Sequence, residues 1–365
     1  MKIAFIYAKG RLSRINRVTA VHAASEFFYG SLQLMKKGHE VRMFEVDEQA
    51  PPSWLQRLGD FFARREWLPS RTHGGLLYHL NTLRPKLQGV DVVVATTTGI
   101  AFSIGLLKTL GLVRVPIVAI HCGLVNYHHR FPRRHLNGFL LRRMWTVLYG
   151  EGELEAVRRF FSVPKERLSV NQFGVDIDFW SPGDASENDY VLSVGNDGRR
   201  DYELLVKVAA QVDCRFIIVT KRPIHAEIPP NVEIIRGDWH AEALTDKELR
   251  RLYRQARCVV IPLLESYQPS GQSVCLQAMA CGKPVILTRT RGLWSKSMMR
   301  DGENVLLVPP GDAQALIRCL QNLLENPFLR KKIGINARDT VCREGNICLF
   351  ADRLEKVCEA AMMNA

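Results

Sequence analysis

Short apolar runs rich in β-branched residues recur along the chain, separated by stretches whose apolar positions repeat every three or four residues. In the first half the runs are KIAFIYA, VRMFEVD, VDVVVAT, PIVAIH, WTVLYG and LSVNQF. In the second they are YVLSVG, RFIIVT, VEIIRG, RCVVIPL, PVILT and VLLVP. Most are apolar at consecutive positions, as strands buried on both faces must be. Segments such as DYELLVKVAAQV and TDKELRRLYRQA between them carry helical periodicity. Strands alternating with helices in this way predict parallel sheets wrapped by helices.

The alternation occurs twice. Between its two halves lies WSPGDASEND, residues 180–189, a cluster of Ser, Pro, Gly, Asp and Asn of linker type. The expected architecture is α/β, with two doubly wound, Rossmann-like domains facing across a cleft. Residues 1–180 form the first domain and 181–340 the second. In such sheets ligands bind beyond the carboxyl ends of the strands.

Composition narrows the class. The chain has 365 residues, 47% apolar and 24% charged, enough for two ordinary domains with real cores. Its longest apolar stretch, Val92 to Leu107, contains three threonines and is shorter than a bilayer span of about 20 residues. The start MKIAFIYA has neither the length nor the cleavage site of a secretory leader. Nine cysteines without a C-x-x-C pair read as reduced core thiols, hence a cytoplasmic setting.

Charge is asymmetric. Residues 1–180 hold 25 Lys and Arg against 14 Asp and Glu, a net +11; the remainder hold 25 against 23, a net +2. The first half is therefore expected to meet something anionic. HHRFPRRHLNGFLLRRMW, His128 to Trp145, mixes five arginines with Phe, Leu, Met and Trp, and FFARREWLPSR is similar. That mixture suits an anionic membrane surface and peripheral association with its inner face. No nucleic-acid-binding module is present.

The most informative stretch is ESYQPSGQSVCLQAMACGKPVI, Glu265 to Ile286. An apolar run ends there, a small polar turn follows, and a helix begins. Ser270, Gly271, Gln272 and Ser273 fall at that helix N-terminus, where free N–H groups and the helix dipole favour an anion. An ordinary N-cap is the alternative. The turn of YVLSVGNDGRRDYELL lies on the same sheet edge. Gly195 ends its strand, Asn196 follows, and Arg199 and Arg200 project from the turn. Lys221, ending RFIIVTK, adds a third cation.

LQAMACGKPVI, with FGVDIDFWSP about 100 residues earlier, resembles the GT-B glycosyltransferases of family-4 type (glycosyl transferases group 1). Gly174, Val175, Asp176 and Phe179 match that family's interdomain signature, and the resemblance covers nearly the whole chain. It implies a GT-B fold in which a C-terminal helix, about residues 341–361, packs back on the first domain. It implies transfer of a sugar from a nucleotide-diphosphate donor to a glycan, lipid-linked or other membrane-proximal acceptor, with retained anomeric configuration, as in polysaccharide biosynthesis. No metal or cofactor beyond the donor is required. The Asp176–Asp178 pair lies within the signature and is assigned to structure.

The chain departs from the family at its two glutamates. Gln277 stands where the ribose-contacting glutamate is usual, and Pro269 eight residues earlier. Glu265 is expected to replace the sugar-side glutamate through a longer loop. Asn196 stands at the usual Arg position, and Arg199 or Arg200 near the usual Lys. In the first domain, Lys9-Gly10 gives a close-approach loop. His121, ending PIVAIH, is expected beside the donor sugar, to bond a hydroxyl or accept the acceptor's proton. Glu26 in ASEFF reads as a helix-start residue. A nucleotide-sugar epimerase or phosphorylase, and a non-catalytic binding protein of the same fold, are the alternative readings.

Overall fold

The computed structural model describes residues 1–47, 54–126, 131–183, 187–237 and 243–364. His128, His129 and Arg130 of the basic segment, and part of the 180–189 linker, lie outside them. Contacts group the chain into two units. The first comprises Met1–Asn16, Phe27–Gln172 and Phe350–Ala365, the second Arg17–Glu26 and Phe173–Leu349.

Each unit is built on a six-stranded sheet, parallel throughout, and each expected apolar run supplies one strand. In the first unit these are β1 (Lys2–Ala8), β2 (Glu40–Val46), β3 (Val92–Ala95), β4 (Ile117–His121), β5 (Trp145–Leu148) and β6 (Leu168–Val170). They are ordered β2-β1-β3-β4-β5-β6. The inner strands β3 and β4 are buried at every position, which is why they read as unbroken apolar runs. Helix Thr98–Thr109 buries Ile100, Phe102, Ile104 and Leu107 against this sheet.

The second unit holds β7 (Tyr190–Val194), β8 (Arg215–Thr220), β9 (Val232–Arg236), β10 (Cys258–Ile261), β11 (Val285–Thr288) and β12 (Leu306–Val308). Their order is β12-β11-β10-β7-β8-β9. The direction of winding reverses between β7 and β10, which pair through Cys258–Val191 and Val259–Leu192. This is the arrangement of doubly wound, dinucleotide-binding sheets. Loops leaving the carboxyl ends of those two strands diverge, and the crevice between them is the usual ligand position.

The Gly-Val-Asp signature works inside the second unit. A Cβ on Gly174 would lie 2.4 Å from the Asn346 carbonyl oxygen, so only glycine fits there. The Val175 amide donates to the Gly345 carbonyl at 2.9 Å, and the Ile347 amide to the Val175 carbonyl at 2.9 Å. Asp176 accepts from the Ser25 amide at 3.1 Å, the Ser25 hydroxyl at 2.7 Å and the Phe179 amide at 3.1 Å. These bonds tie segment 17–26 into the unit and give Asp176 the structural role assigned to it.

Candidate functional site

The reversal point of the second sheet collects most of the sequence-derived candidates. Gly195 to Arg200 leave β7, Lys221 follows β8, and Glu265 to Ser273 follow β10. The two central loops are laced together. The Leu264 amide donates to the Arg199 carbonyl at 2.8 Å and the Asp201 amide to the Pro262 carbonyl at 3.0 Å. Arg200 and Leu263 form an antiparallel bridge.

Arg199 and Arg200 do not both project from this turn. The Arg200 side chain is only 2% exposed and lies between two glycines. A Cβ on Gly195 (φ +151°) would sit 2.2 Å from Arg200 Nε, and one on Gly271 (φ +77°) 3.1 Å from its Nη1. The missing side chains therefore make the space for one guanidinium. Asp197 Oδ2 stands 2.9 Å from Nε, without hydrogen-bond alignment, and Nη1 has no partner. A buried guanidinium with an unpaired donor carries a substantial desolvation cost, which the Asp197 carboxylate offsets in part.

Helix Gln272–Ala280 begins beside it. Neighbouring helices in this unit start with side-chain caps, at Asp201, Thr245 and Asp312. This one starts at Gly271 with none. The Ser270 hydroxyl is buried without a partner. Ser270, Gly271 and Gln272 are buried, and Ser273 is the half-exposed member of the turn. A helix N-terminus, a hydroxyl without a hydrogen-bond partner among the described residues and a guanidinium with one Nη1 left over thus converge in one place, and together they suit an anion with several oxygens.

The other candidates on this edge are occupied. Asn196 Nδ2 donates to the Gly237 carbonyl, while its Oδ1 accepts from the Lys221 amide at 2.7 Å and the Thr220 hydroxyl at 3.3 Å. It joins the ends of three strands. Lys221 is exposed. Glu265 Oε1 accepts from the Ser266 amide at 2.8 Å and the Arg291 amide at 2.9 Å, with the Arg291 guanidinium 3.4 Å away. Partial burial opposes its ionisation, but those two amides and the guanidinium outweigh it and hold the carboxyl below its usual range. Arg291 in turn covers the Tyr267 ring at 4.6 Å, so Glu265 fastens a loop as it stands.

Gln277 points into the unit. Its Oε1 accepts from the Tyr253 hydroxyl at 3.2 Å, and its Nε2 donates to Glu26 Oε1 at 2.9 Å. Glu26 is fully buried and also accepts from Trp180 Nε1 at 2.7 Å. Burial raises its carboxyl pKa to about 7, against the lowering effect of those bonds. Glu26 does open a short 3₁₀ turn, Glu26–Phe28, but its side chain is the polar centre of a buried network. The signal for this was faint: one carboxylate in the otherwise uncharged stretch HAASEFFYG.

In the first unit, Gly10 and His121 lie at the carboxyl ends of β1 and β4. A Cβ added at Gly10 (φ +89°) would have no atom within 4 Å, so the backbone there is open to close approach. Lys9 beside it pairs with Asp47. His121 is buried, with Nδ1 3.1 Å from the Thr98 hydroxyl, its ring 5.4 Å from Phe102, and Nε2 unpartnered. Burial lowers its pKa to about 3. Glu153, which belongs to no motif in the sequence, accepts from the Gly123 amide at 3.0 Å and from the Leu124 amide, fixing the loop that follows His121. Its position on the helix face with Val157 and Phe161 was the available sign. Among the described residues no group of three or more His, Cys, Asp or Glu is placed to hold a metal ion.

Residues 189–326 match the model of the family described as Glycosyl transferases group 1. The lipopolysaccharide core biosynthesis glycosyltransferase LpsE of Rhizobium meliloti is 34% identical over 82 residues, 22% of this chain and 23% of that protein. A D-inositol 3-phosphate glycosyltransferase of Frankia alni is 26% identical over 205 residues, 48% of this chain and 49% of its own. The matches thus span about half or less of these curated relatives. Among solved structures, sucrose-phosphate synthase of Thermosynechococcus elongatus superposes with TM-score 0.73 at 17% identity, over 100% of both chains. A glycosyltransferase of Rickettsia africae gives 0.72 at 14% identity, again over 100% of both. Anabaena HepE, solved in complex with UDP, gives 0.65 at 15% identity, over 98% of this chain and 99% of that one.

The fold is therefore GT-B, as the motifs implied. Residues 189–326, which include LQAMACGKPVI, are similar to the group 1 glycosyltransferases, and both sheets have the fold of solved glycosyltransferases.

Proposed function

We propose that the protein is a glycosyltransferase that takes its sugar from a nucleotide diphosphate donor. One observation carries this reading: the buried Arg200 guanidinium, whose Nη1 has no hydrogen-bond partner among the described residues although Asp197 faces its Nε, and the Ser270 hydroxyl beside the uncapped start of helix Gln272–Ala280. Breaking a sugar–phosphate bond develops negative charge on the leaving diphosphate. Fixed donors at that point stabilise the developing charge without reorganising, which is how such sites lower barriers. HepE, a structural neighbour, has been solved with UDP and with UDP-glucose, which supports a donor of this class.

His121 enters this scheme as a neutral group. A ring whose pKa is lowered to about 3 is uncharged at neutral pH and too weak a base to take a proton there, so its role is a hydrogen bond from an uncharged imidazole. Glu265 contacts the sugar only if its bonds to the Arg291 segment are released. The chemistry needs no metal, and retention of anomeric configuration follows the family expectation.

The acceptor side rests on the first unit's surface. Phe61 is 43%, Trp67 50% and Phe131 80% exposed, in the company of Arg64, Arg65 and Arg134. Arg133 joins the two segments by donating to the Ala63 carbonyl at 2.8 Å and the Leu68 carbonyl at 2.9 Å. Exposed aromatic rings among arginines suit an anionic membrane interface and a lipid-linked or membrane-proximal glycan acceptor. No described helix is long and apolar enough to cross a membrane.

Calorimetric titration with UDP, GDP and ADP, followed by incubation with the matching nucleotide sugars, tests the reading. Binding of a nucleoside diphosphate and acceptor-dependent release of it are expected. Isomerised donor without acceptor would indicate the epimerase alternative, dependence on phosphate the phosphorylase, and binding without turnover the non-catalytic one. Absence of nucleotide binding would remove the proposal.

A further inference from the structure

The first unit contains a cavity of about 480 Å³ lined by Lys108, Arg142, Arg143 and Arg167, together with Phe139 and Trp145. It opens at the amino ends of β4 and β5, where Ile117 and Trp145 line it. His121 ends the same strand β4, about 13 Å away at about 3.3 Å per residue, so the cavity occupies the edge opposite the usual ligand edge.

Among the described residues four cations line it, and no carboxylate side chain does. None of the four forms an ion pair among the described residues. Lys108 donates to the Arg114 and Val115 carbonyls, each at 2.9 Å. Arg142 donates to the Phe161 carbonyl at 3.1 Å. Arg143 lies over the Phe139 ring at 3.6 Å, and Arg167 over the Trp145 ring at 4.9 Å. The rings hold two guanidiniums in place. The bland account is that these cations serve helix C-termini, since the helices Thr98–Thr109, Arg133–Leu141 and Ile347–Met363 end here. Three such ends supply a charge of only about −1.5 against four positive side chains, at about −0.5 each. A second sign is independent of charge: Trp145 Nε1 is buried with no hydrogen-bond partner among the described residues.

We infer that this cavity is a second anion site, for a phosphate-bearing ligand with an apolar portion. The phosphate would lie among Arg142, Arg143, Arg167 and Lys108, with the apolar part against Phe139 and Trp145. The inference does not rest on the donor site, which is in the other unit. A free phosphorylated molecule and a lipid headgroup share this chemistry.

Hydrogen–deuterium exchange of the full chain distinguishes them, with hexyl phosphate as soluble probe and vesicles of phosphatidylcholine with or without phosphatidylglycerol. Slowed exchange in residues 105–117 and 139–147 with hexyl phosphate supports a soluble ligand. The same protection only with phosphatidylglycerol vesicles supports a headgroup. In Arg142→Gln/Arg143→Gln, both exposed positions, the affinity should fall at least about tenfold, because each removes a charge-assisted bond. Trp145→Phe, which keeps the ring and deletes the donor, should weaken it less. Protection by neither probe, or equal protection in the double variant, overturns the inference. Protection around residues 195–201 and 270–275 by nucleotide reports on the donor site separately.

Discussion

Gln277 Nε2 donates to Glu26 Oε1 at 2.9 Å, joining residues 251 positions apart inside one unit. The bond places Gln277, expected to meet the donor, in a buried network whose acceptor is the Glu26 carboxylate. Trp180 Nε1 supplies a second donor at 2.7 Å.

The pair should make stability depend on pH. The Glu26 carboxyl titrates at about 7 in the folded chain, against 4.5 ordinarily. Between those values the folded state keeps a proton that the unfolded state has released. The contribution is therefore fully present below pH 4.5 and lost as pH rises through 7, up to about 3 kcal/mol at 1.36 kcal/mol per pKa unit. Glu26→Gln, which mimics the protonated acid, should match the wild type at about pH 4 and exceed it by about 1–3 kcal/mol at about pH 8.5. Urea unfolding at the two pH values measures this, and parallel profiles for the two proteins would refute the assignment.

Ser270→Ala separates a site from a packing defect. The hydroxyl is buried without a partner, so its removal should leave the melting temperature of the ligand-free protein unchanged or slightly raised. If an anion is its partner, nucleoside diphosphate affinity should drop about tenfold or more, the value of a hydrogen bond to a charged group. A variant that binds UDP, GDP and ADP as the wild type does would take Ser270 out of the site.

Glycine at 195 should be indispensable where glycine at 198 is not. A methyl at Gly195 would meet Arg200 Nε at 2.2 Å, whereas at Gly198 its nearest neighbour is Arg222 Nη1 at 3.7 Å. Gly195→Ala must displace the guanidinium, and is expected to lose about 2 kcal/mol of stability and at least about tenfold in nucleotide affinity. Gly198→Ala should stay within about 0.5 kcal/mol. Thermal unfolding and titration calorimetry on the two variants make the comparison; similar behaviour would mean that Arg200 is not held where the structure has it.

These residues also show what the sequence discloses. The inner strands were legible because a parallel strand buried on both faces must be apolar at nearly every position. The helix start at Ser270–Ser273 was legible because helix starts have a compositional signature. Which arginine of the Arg199–Arg200 doublet turns inward was not, since the space for it is made by Gly195 and by Gly271, far along the chain. The membership of segment 17–26 was equally hidden. It is held by Ala24 donating to Asp246 at 3.0 Å, Ser25 to Asp176, and Glu26 accepting from Gln277. Single polar contacts of long sequence separation leave no periodicity to read. Residues 173–180, expected at the end of the first domain, group with the second for the same reason, through the bonds of Val175 and Asp176.

His121 gives the last test, and its sign is opposite to that of Glu26. Burial lowers its pKa to about 3 from 6.5, so the unfolded chain takes up a proton that the folded chain refuses. Its contribution is present above pH 6.5 and is lost as pH falls toward 3. His121→Gln removes the titrating group while keeping polar atoms for the Thr98 hydroxyl, 3.1 Å from Nδ1 in the wild type. The variant should therefore resist acid better, with its unfolding midpoint moved to lower pH. In turnover, the pH dependence of kcat/KM should show no ionisation near about 6–7 that disappears with this substitution, because a ring that stays neutral contributes no limb to the profile. A limb at that pH present in the wild type and absent in His121→Gln would show that the ring titrates near neutrality in the free enzyme, and would restore it as the base.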